Sequence, residues 1–425
     1  MTNSRLPYGG SPPDSWAVVP LKYLTTLTNG YVFNSADWVD SGTPIIRIEN
    51  LNGSRNFNHS GSMLPDRYRV KSGDLLFSWS GNPGTSFGPY LWSEPGDYYL
   101  NQHIFKMDVS GCDARWLYWS LKAATHWIER ELTSGMIGMV HVTKEELAAV
   151  PIPVPPIELQ RRIADFLDAE TARMDALTSA RNSQLRCLDQ LWDARLARKT
   201  DELIETYGLL PLRRVASSVE QGWSPQCDDA EAGPAEWAVL KTSAVSSGLF
   251  KPLEHKRLPI DLEPDLRYQV MDGDILMTRG SGSPAHVGVA AVAETNGRKL
   301  LLSDLLYRVR LGPEWSPEYV TLLLGSRPVR GFMSLLFRGQ SGQTIKLRSE
   351  DIRSIAIPAA PTTAQAALAR ELAKTRLSIR EAQAAIRSSS AVLAERRQAL
   401  ITAAVTGQFD VSTASGRNVT DGVTA

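Results

Sequence analysis

The sequence predicts an α/β (α+β) fold in which two globular segments, related as a pseudo-twofold repeat, are separated by two long antiparallel coiled-coil helices. Three observations predict this class. The chain repeats itself, each repeat begins with short alternating strands and Gly-rich turns, and each repeat ends in one long helical pattern. A chain of 425 residues is too long for one ordinary core, so we expect more than one domain.

The repeat is visible as matched stretches in the two halves of the chain. The stretch PLKYLTTLTNGY from Pro20 corresponds to PLRRVASSVEQGW from Pro211. The stretch VKSGDLLFSWSGNPGTSFG from Val70 corresponds to VMDGDILMTRGSGSPAHVG from Val270. Because the same order of motifs occurs twice, each half should fold in the same way.

Alternating apolar residues and helical spacing place the shorter elements. The Gly-Asp pairs Gly73-Asp74 and Gly273-Asp274 predict a turn into a strand. Strands are predicted at Pro44–Glu49, Asp74–Ser78, His103–Asp108, Asp274–Thr278 and Leu305–Leu311. Helices are predicted at Arg115–Lys122, His126–Leu132, Pro317–Leu324 and Arg327–Leu336.

A proline-led segment precedes each long helix. VPIPVPPIELQRRIADFLD from Val150 and IAIPAAPTTAQAALARELA from Ile355 both place prolines, which cannot donate to a strand ladder, just before a helical pattern. In the second copy Thr362 or Thr363 is expected to be the N-cap. These patterns divide the chain into a first globular domain at 1–155, a helix at 156–203, a second globular domain at 204–360, a helix at 361–411 and a tail at 412–425.

The two long helices carry the same 4-3 spacing, which is typical of a coiled-coil seam. Each helix would be about 60 Å long, so the two most simply pack on each other. The predicted seam residues are Leu167, Met174, Leu177, Leu188 and Leu191 in the first helix and Leu372, Ile379, Ile386, Leu393 and Leu400 in the second. Polar residues, such as Glu170, Arg181, Gln184 and Ser389, also fall on this seam.

Composition excludes several classes of protein. The three cysteines are widely spaced, which fits a reducing cytoplasm and argues against a zinc ribbon or disulfide framework. The sequence has no signal-peptide pattern and no long apolar run, so we expect a cytoplasmic protein without a membrane span. The formal net charge is zero, so any nucleic-acid binding must depend on local patches.

No catalytic motif stands out in the sequence. It has no phosphate-binding Gly-x-x-x-x-Gly-Lys-Ser/Thr loop, no His-Glu-x-x-His helix, no Gly-x-Ser-x-Gly elbow and no Asn/Asp-Pro-Pro-Tyr/Phe methyltransferase site. The histidines lie outside metal-ligand spacings. The sequence therefore predicts a protein that binds, with no catalytic residue and no metal site of its own.

Flexible polar stretches at matching places in the two halves are candidates for binding. Amide and guanidinium groups on an adaptable loop suit base edges, and flanking cations suit phosphates. An exposed polar loop with solvated charges is the alternative for any single residue. The candidates are Arg338, Gln340, Ser341, Gln343 and Lys346 in the second half and Arg130, Ser134 and His141 in the first.

Four stretches resemble the specificity (S) subunits of type I restriction–modification systems. They are PIIRIENLNG at 44–53, GDLLFSWSGNPGTSF at 73–87, NQHIFKM at 101–107, and the pair PIPVPPIELQRRIADFLD and RRQALITAAVTGQFDV. The resemblance extends from about Trp16 to Val411. Further candidate DNA contacts from the matched stretches and their second-half counterparts are Arg47, Asn50, Trp79, Asn101, Lys241 and Arg279.

The resemblance implies a function for each part. The globular segments would be target recognition domains that each read one half of a split, asymmetric double-stranded DNA target. The helices would set the spacing and dock two methyltransferase (modification) subunits and restriction/translocase subunits. This chain would hold no cofactor, whereas its partners would use S-adenosylmethionine, ATP and Mg. The alternatives are a single-chain nuclease or methyltransferase with fused recognition domains, and a coiled-coil scaffold that binds no DNA.

Overall fold

The computed structural model describes residues 5–133, 140–339 and 344–411. The chain forms two compact units. Unit 1 contains the chain up to Arg181 together with the chain from Arg387 onward, and unit 2 contains Asn182–Ile386. Each unit therefore includes one globular segment, part of the first long helix and part of the second.

Unit 1 combines a four-stranded sheet, a five-stranded sheet and two ribbons. Its helices are α1 (Ile48–Leu51), α2 (Ala114–Trp127) and α3 (Lys144–Ala148), followed by the first long helix α4 (Ile157–Tyr207). Its strands are β1 (Ala17–Pro20), β2 (Thr25–Asn29), β3 (Trp38–Val39), β4 (Thr43–Ile46), β5 (Asn58–Ser60), β6 (Arg69–Val70), β7 (Leu75–Ser78), β8 (Ser80–Gly81), β9 (Gly88–Leu91), β10 (Tyr98–Leu100), β11 (Ile104–Val109), β12 (Val140–His141) and β13 (Pro151–Val154).

Unit 2 repeats this plan with fewer strands. Its helices are α5 (Pro317–Leu324), α6 (Arg327–Ser334), α7 (Ser349–Ser354) and the second long helix α8 (Thr362–Val405), which ends in unit 1. Its strands are β14 (Leu209–Pro211), β15 (Ala216–Gln221), β16 (Trp237–Leu240), β17 (His255–Arg257), β18 (Ile275–Thr278), β19 (Gly280–Ser281), β20 (Ala290–Val292), β21 (Lys299–Leu301), β22 (Leu306–Leu311), β23 (Ile345–Lys346) and β24 (Ala356–Pro358).

The strand orders of the two units correspond, although the second sheet has five strands in unit 1 and three in unit 2. The four-stranded antiparallel sheet runs β2-β11-β7-β9 in unit 1 and β15-β22-β18-β20 in unit 2. A parallel pair, β4 with β10 or β16 with β21, lies in the second sheet of each unit. The ribbons β8–β12 and β1–β13 correspond to β19–β23 and β14–β24. The internal repeat seen in the sequence is therefore a repeat of the fold.

Most of the predicted short elements are present. Gly73 and Gly273 have φ of +94° and +87°, which a glycine adopts without steric cost. The following carboxylates, Asp74 and Asp274, each accept a hydrogen bond at 2.9 Å from the main chain three residues earlier. The two turns therefore share the same backbone conformation and the same hydrogen bond.

Two element predictions need correction. The strand expected to reach Glu49 ends at Ile46, because Arg47 is the N-cap of the short helix α1 and its main-chain N–H donates to the side chain of Asn50. The two helices expected between Arg115 and Leu132 are one helix whose last turn, Ile128–Leu132, is a π-helix.

The long helices begin directly after prolines. Helix α4 has 51 residues and α8 has 44 residues, or about 75 Å and 65 Å at 1.5 Å per residue. Thr362 and Thr363 lie inside α8, so neither is the N-cap that the sequence suggested. Pro361 occupies that place, and its carbonyl accepts the first helical hydrogen bonds from Ala364 and Gln365.

A buried glutamine joins the start of each long helix to its globular segment. In unit 1, Gln160 accepts from the main-chain N–H of Asp113 and donates to the carbonyl of Pro155, both at 2.8 Å. In unit 2, Gln365 accepts from the N–H of Ser316 and donates to the carbonyl of Ala360, both at 2.9 Å. Asp113 and Ser316 are the N-caps of α2 and α5. The same side chain therefore orients two helices in each unit.

In unit 1 the beginning of α4 packs on the end of α8, so the helices run antiparallel. Leu167 and Met174 share a buried core with Leu400. The guanidinium of Arg181 donates to the carbonyl of Ser389 at 2.8 Å. Other α8 residues that complete this core are Ile401, Ala404 and Val405.

In unit 2 the end of α4 packs on the beginning of α8. Leu372 and Ile379 share a buried core with Trp192 and Leu196. The predicted seam residues Leu188 and Ile386 are half-buried here, as is Leu393 in unit 1. Polar contacts flank this core, among them the ion pair between Arg195 and Glu371 at 2.9 Å and the hydrogen bond from Gln383 to Asp189 at 2.8 Å.

The predicted seam is corrected at two positions. Leu177 and Leu191 are 51% and 57% exposed, whereas Thr171 and Trp192 are buried. The seven-residue period through Leu167 is present. The second buried position of the heptad that begins at Leu167, however, lies four residues after the first, at Thr171, and not three residues after it. A 3-4 and a 4-3 spacing share the same period, so the sequence pattern alone did not separate them.

Candidate nucleic-acid interface

Each unit holds one surface residue at the end of a central strand, and the two residues sit in the same main-chain frame. Trp79 follows β7, and its N–H donates to the carbonyl of His103 at 3.3 Å. Arg279 follows β18, and its N–H donates to the carbonyl of Leu305 at 2.9 Å. The carbonyls of Trp79 and Arg279 then accept from the residues that follow β12 and β23, at 3.0 and 2.9 Å. The same frame therefore presents two different side chains.

The first strand-end surface, in unit 1, consists of Trp79, Gln102, His103 and His141. The indole Nε1 of Trp79 donates to the carbonyl of Gln102 at 3.0 Å. The indole lies 5.5 Å from the ring of His103 and 6.1 Å from the ring of His141. Burial lowers the pKa of His103, and the nearby His141 lowers it further. This surface thus offers aromatic, imidazole and amide groups.

A cleft adjoins the first strand-end surface. The guanidinium of Arg47 lies over the ring of Trp38 at 5.2 Å and donates to Asn58 at 2.8 Å. It also forms an ion pair with Glu49 at 3.1 Å. The cleft is lined by the aromatic residues Phe33 and Trp38 and by polar residues that include Arg47, Asn52, Asn82, Thr85, Asn101, Gln102 and His103. Most of these side chains can donate or accept hydrogen bonds.

The second strand-end surface, in unit 2, consists of Arg279, Asp304, Arg338 and Lys346. Arg279 donates to the carbonyl of Asp304 at 3.4 Å, as Trp79 does to Gln102 in unit 1. Arg338 and Lys346 are exposed and exchange main-chain hydrogen bonds at 3.0 and 2.8 Å. The nearest carboxylate oxygen of Asp351 is 4.0 Å from the guanidinium of Arg338. This surface is richer in cations than the first.

Seven of the predicted site residues lie at the two strand-end surfaces or in the cleft. Trp79, Asn101, His141 and Arg47 lie at the first surface or its cleft, and Arg279, Arg338 and Lys346 form the second surface. Lys241 occupies the place in unit 2 that Arg47 has in unit 1, after a strand and before a helical turn, and pairs with Asp229 at 3.3 Å. Ser134, Gln340, Ser341 and Gln343 lie outside the described residues.

Two other predicted residues have local partners. Asn50 is 5% exposed, accepts from the N–H of Arg47 and donates to two carbonyls of the loop after α1. The structure therefore gives Asn50 a loop-stabilising role. Arg130 lies in the π-helical turn after α2 and pairs with the adjacent Glu131 at 2.7 Å.

Sequence reasoning missed Gln102, His103, Trp38 and Asn82. Gln102 and His103 directly follow Asn101 in NQHIFKM, so the sequence pointed to this segment without naming these two residues. Asn101 is 9% exposed, because the segment turns into β11 there. No sequence motif identified Trp38 or Asn82, because these residues come together in one cleft only in the folded chain.

Neither strand-end surface resembles a metal or membrane site. Within residues 5–133, 140–339 and 344–411, no group of three or more His, Cys, Asp or Glu side chains is placed to hold a metal ion. In the same ranges, none of the helices combines the length and apolar character needed to cross a membrane. The available groups are hydrogen-bond donors and acceptors, cations and aromatic rings, which suit base edges and phosphates.

Comparison with known proteins agrees with this chemistry. Residues 13–186 match the type I restriction modification DNA specificity domain. The chain is 34% identical over 154 residues to the EcoEI specificity subunit of Escherichia coli, covering 36% of this chain but only 26% of that subunit. It is 23% identical over 393 residues to the EcoKI specificity subunit of Escherichia coli strain K12, covering 85% of this chain and 82% of that subunit.

One solved structure supports the fold over nearly the whole chain. It comes from work on the complex assembly and conformational transition of the type I R-M system, and it aligns with a TM-score of 0.69 at 16% identity. The alignment covers 94% of this chain and all of the other. At this identity the match concerns the fold, including its two domains and long helices.

Proposed function

We propose that this chain, which is similar to the specificity subunits of type I restriction–modification systems, directs such a complex to a bipartite, asymmetric DNA target. Each unit would read one half of the target through its strand-end surface. The observation that carries the proposal is the repeated frame around Trp79 and Arg279, which presents different side chains at equivalent positions. Different side chains on one frame favour two different half-sites.

The proposal assigns the chemistry to partner subunits. Two methyltransferase subunits would modify adenines using S-adenosylmethionine, and restriction subunits would use ATP and Mg. The long helices α4 and α8 offer docking surfaces for them, because apolar side chains such as Leu177, Leu191, Leu377 and Val392 are exposed on these helices. Contiguous apolar surface on a protein marks contacts with other proteins.

Mapping of methylated adenines tests the proposal. We expect a host that expresses this chain with its modification subunits to carry methylated adenines at one split, asymmetric sequence. Deleting the chain should abolish that methylation while the modification subunits are still produced. A methylation pattern that does not depend on the chain would contradict a role in recognition.

Two alternatives remain distinguishable from this proposal. Methylation or cleavage of DNA by the isolated chain would favour a single-chain nuclease or methyltransferase. Selection from a random duplex library, with the modification subunits present, would return no split sequence if the chain were a scaffold that does not bind DNA.

The second strand-end surface gives a sharper test. Replacing Arg338 and Lys346 together by Ala should weaken binding to one half-site about tenfold or more, because cations there would contact phosphates or guanine. Base changes in the other half-site should reduce the affinity of the variant by the same factor as they reduce the affinity of the wild type. The control is Lys374→Ala on the exposed face of α8, and equal losses for both variants would contradict the assignment.

A further inference from the structure

The floor of the cleft in unit 1 contains polar atoms without partners. Gln102 Oε1 and His103 Nδ1 are buried, and neither has a hydrogen-bond partner among the described residues. Buried polar atoms are normally paired in proteins, so unpaired ones require an explanation. Both side chains line the cleft, beside the strand-end surface that Trp79 occupies.

The amide of Gln102 is also weakly held by the protein. Its Nε2 lies 3.5 Å from His103 Nε2, which is at the limit of a hydrogen bond. The main chain of Gln102, by contrast, is held in place, since its carbonyl accepts from Trp79 Nε1 at 3.0 Å. Because the backbone of Gln102 is held and its amide makes only this long contact among the described residues, the side chain can turn its Oε1 and Nε2 toward a ligand in the cleft without moving its support.

The side chains on the walls of the cleft are suited to contacts with the edge of a base pair. One wall holds Trp38 with the guanidinium of Arg47 over its ring. Asn82 and Thr85 lie on the segment after β8, which also lines the cleft. Ser86 ties this segment down, because its hydroxyl accepts from the N–H of Asn82 at 2.7 Å. The combination of amides, a cation and an aromatic ring is typical of contacts with bases and phosphates.

We infer that Gln102 reads an adenine in the half-site of unit 1, by accepting from adenine N6 and donating to adenine N7 in the major groove. His103 would be a positioning residue that orients this amide. The inference rests on the proposed function, which assigns unit 1 to one half-site. A glutamine amide pairs with adenine in this two-bond geometry, whereas the other bases do not offer the same donor and acceptor pattern.

The equivalent residues of unit 2 differ, so recognition of adenine by a glutamine is expected in one half-site only. Asp304 and Leu305 occupy the places of Gln102 and His103, since the carbonyls of these residues accept the corresponding bonds from Arg279. Asp304 is itself tied to Ser224, whose Oγ accepts from the Asp304 N–H at 3.2 Å. Unit 2 therefore lacks the free amide and should not share the adenine preference.

Methylation mapping with substituted chains tests the inference in the complete complex. In Gln102→Ala we expect one adenine position of one half-site to accept other bases, with discrimination reduced about tenfold or more. In Gln102→Glu, which only accepts hydrogen bonds, cytosine should become the better base at that position. The other half-site should be unchanged, and Gln190→Ala on the exposed face of α4 should leave the whole target unchanged.

A change in the DNA tests the same contact without altering the protein. Replacing each adenine of the mapped half-site in turn by 7-deazaadenine removes the N7 acceptor. At one position this should weaken binding by the wild-type complex about tenfold, and the same replacement should have little effect on Gln102→Ala. If the wild type tolerates 7-deazaadenine at every position, the inference is wrong, even if Gln102→Ala folds poorly.

The proposed function and the role of Gln102 would be contradicted by different results. A wild-type complex that yields no split target contradicts the proposed function itself. A split target that Gln102→Ala leaves unaltered, or relaxes equally in both half-sites, contradicts only the role of Gln102.

Discussion

Two buried glutamines show how one side chain can organise the junction between a globular segment and a long helix. Gln160 and Gln365 each bridge the N-cap of a short helix and a carbonyl of the proline-led segment. Each is almost completely buried, so its loss would leave main-chain groups unpaired. An unpaired buried group costs about 1–3 kcal/mol. The junction is therefore fixed by hydrogen bonds as well as by proline.

We expect Gln160→Ala to lower the free energy of unfolding by about 2–3 kcal/mol, because it leaves the N–H of Asp113 and the carbonyl of Pro155 without partners. Gln365→Ala should have a similar effect through Ser316 and Ala360. Urea denaturation followed by circular dichroism measures the change. Gln190→Ala, at an exposed position, is the control and should fall within about 0.5 kcal/mol of the wild type.

The environment of His103 predicts a pH dependence of stability. Burial and His141 lower its pKa from the ordinary value of 6.5. The folded chain then binds fewer protons at this site than the unfolded chain, so the contribution is complete above pH 6.5 and is lost as the pH falls through the lowered pKa.

We expect the melting temperature to fall less steeply between about pH 7 and pH 5 in His103→Gln than in the wild type. His126→Gln is the matched control, because the side chain of His126 is 78% exposed. An identical slope in the wild type and His103→Gln would show that His103 does not contribute.

At the scale of elements, the sequence predicted the long helices well and the phase of their seam less well. The period through Leu167, Met174 and Leu188 is visible in the sequence because these positions are apolar. The positions between them are mixed, since Thr171 is buried and Leu177 is exposed. Tertiary packing decides which of two neighbouring positions is buried in the seam, and the hydrophobic pattern of the sequence does not show this.

Trp192 and Leu191 provide a matched test of the corrected seam. Trp192 is 8% exposed, and the guanidinium of Arg376 lies 4.4 Å from its ring. Trp192→Ala should destabilise unit 2 by about 3–5 kcal/mol through loss of buried contacts. Leu191→Ala should change stability by less than about 0.5 kcal/mol, because its neighbour carries the packing. Thermal and urea unfolding measure the stability of both variants. A larger loss of stability in Leu191→Ala than in Trp192→Ala would support the seam predicted from the sequence.

The candidate interface could be predicted only in part. Its location at NQHIFKM was visible as a sequence motif, but the choice between Asn101 and Gln102 depends on how the chain enters β11. Trp38, Asn82 and Gln102 come from three separate stretches. Tertiary folding brings such residues together, so local sequence patterns do not reveal the cleft.

At the scale of the whole molecule, the repeat preserves the framework and varies the surface. The four-stranded sheet, the ribbons and the buried glutamine occur in both units. The strand-end side chains differ, with imidazole and indole groups in unit 1 and guanidinium and ammonium groups in unit 2. A shared frame with different side chains allows one half-site preference to change independently of the other.

The continuity of α4 and α8 predicts that helix length affects the spacing of the target. We expect insertion of one heptad after Arg181 and another after Ile386 to keep the seam in phase and to lengthen each helix by about 10 Å. The preferred spacer between half-sites should then lengthen, by up to about three base pairs at about 3.4 Å each. Methylation mapping measures the spacer, and an unchanged spacer would show that the helices do not set it.

The division of the chain between the two units has a consequence for its synthesis. Unit 2 is one uninterrupted stretch, Asn182–Ile386, whereas unit 1 combines residues that precede this stretch with residues that follow it. The core around Leu167 and Met174 includes Leu400, Ile401, Ala404 and Val405, which are synthesised after unit 2. Domains usually finish folding in the order of synthesis. Here the second half can close its core first, and a nascent chain that stalls before Arg387 would display the apolar face of α4 to chaperones and proteases.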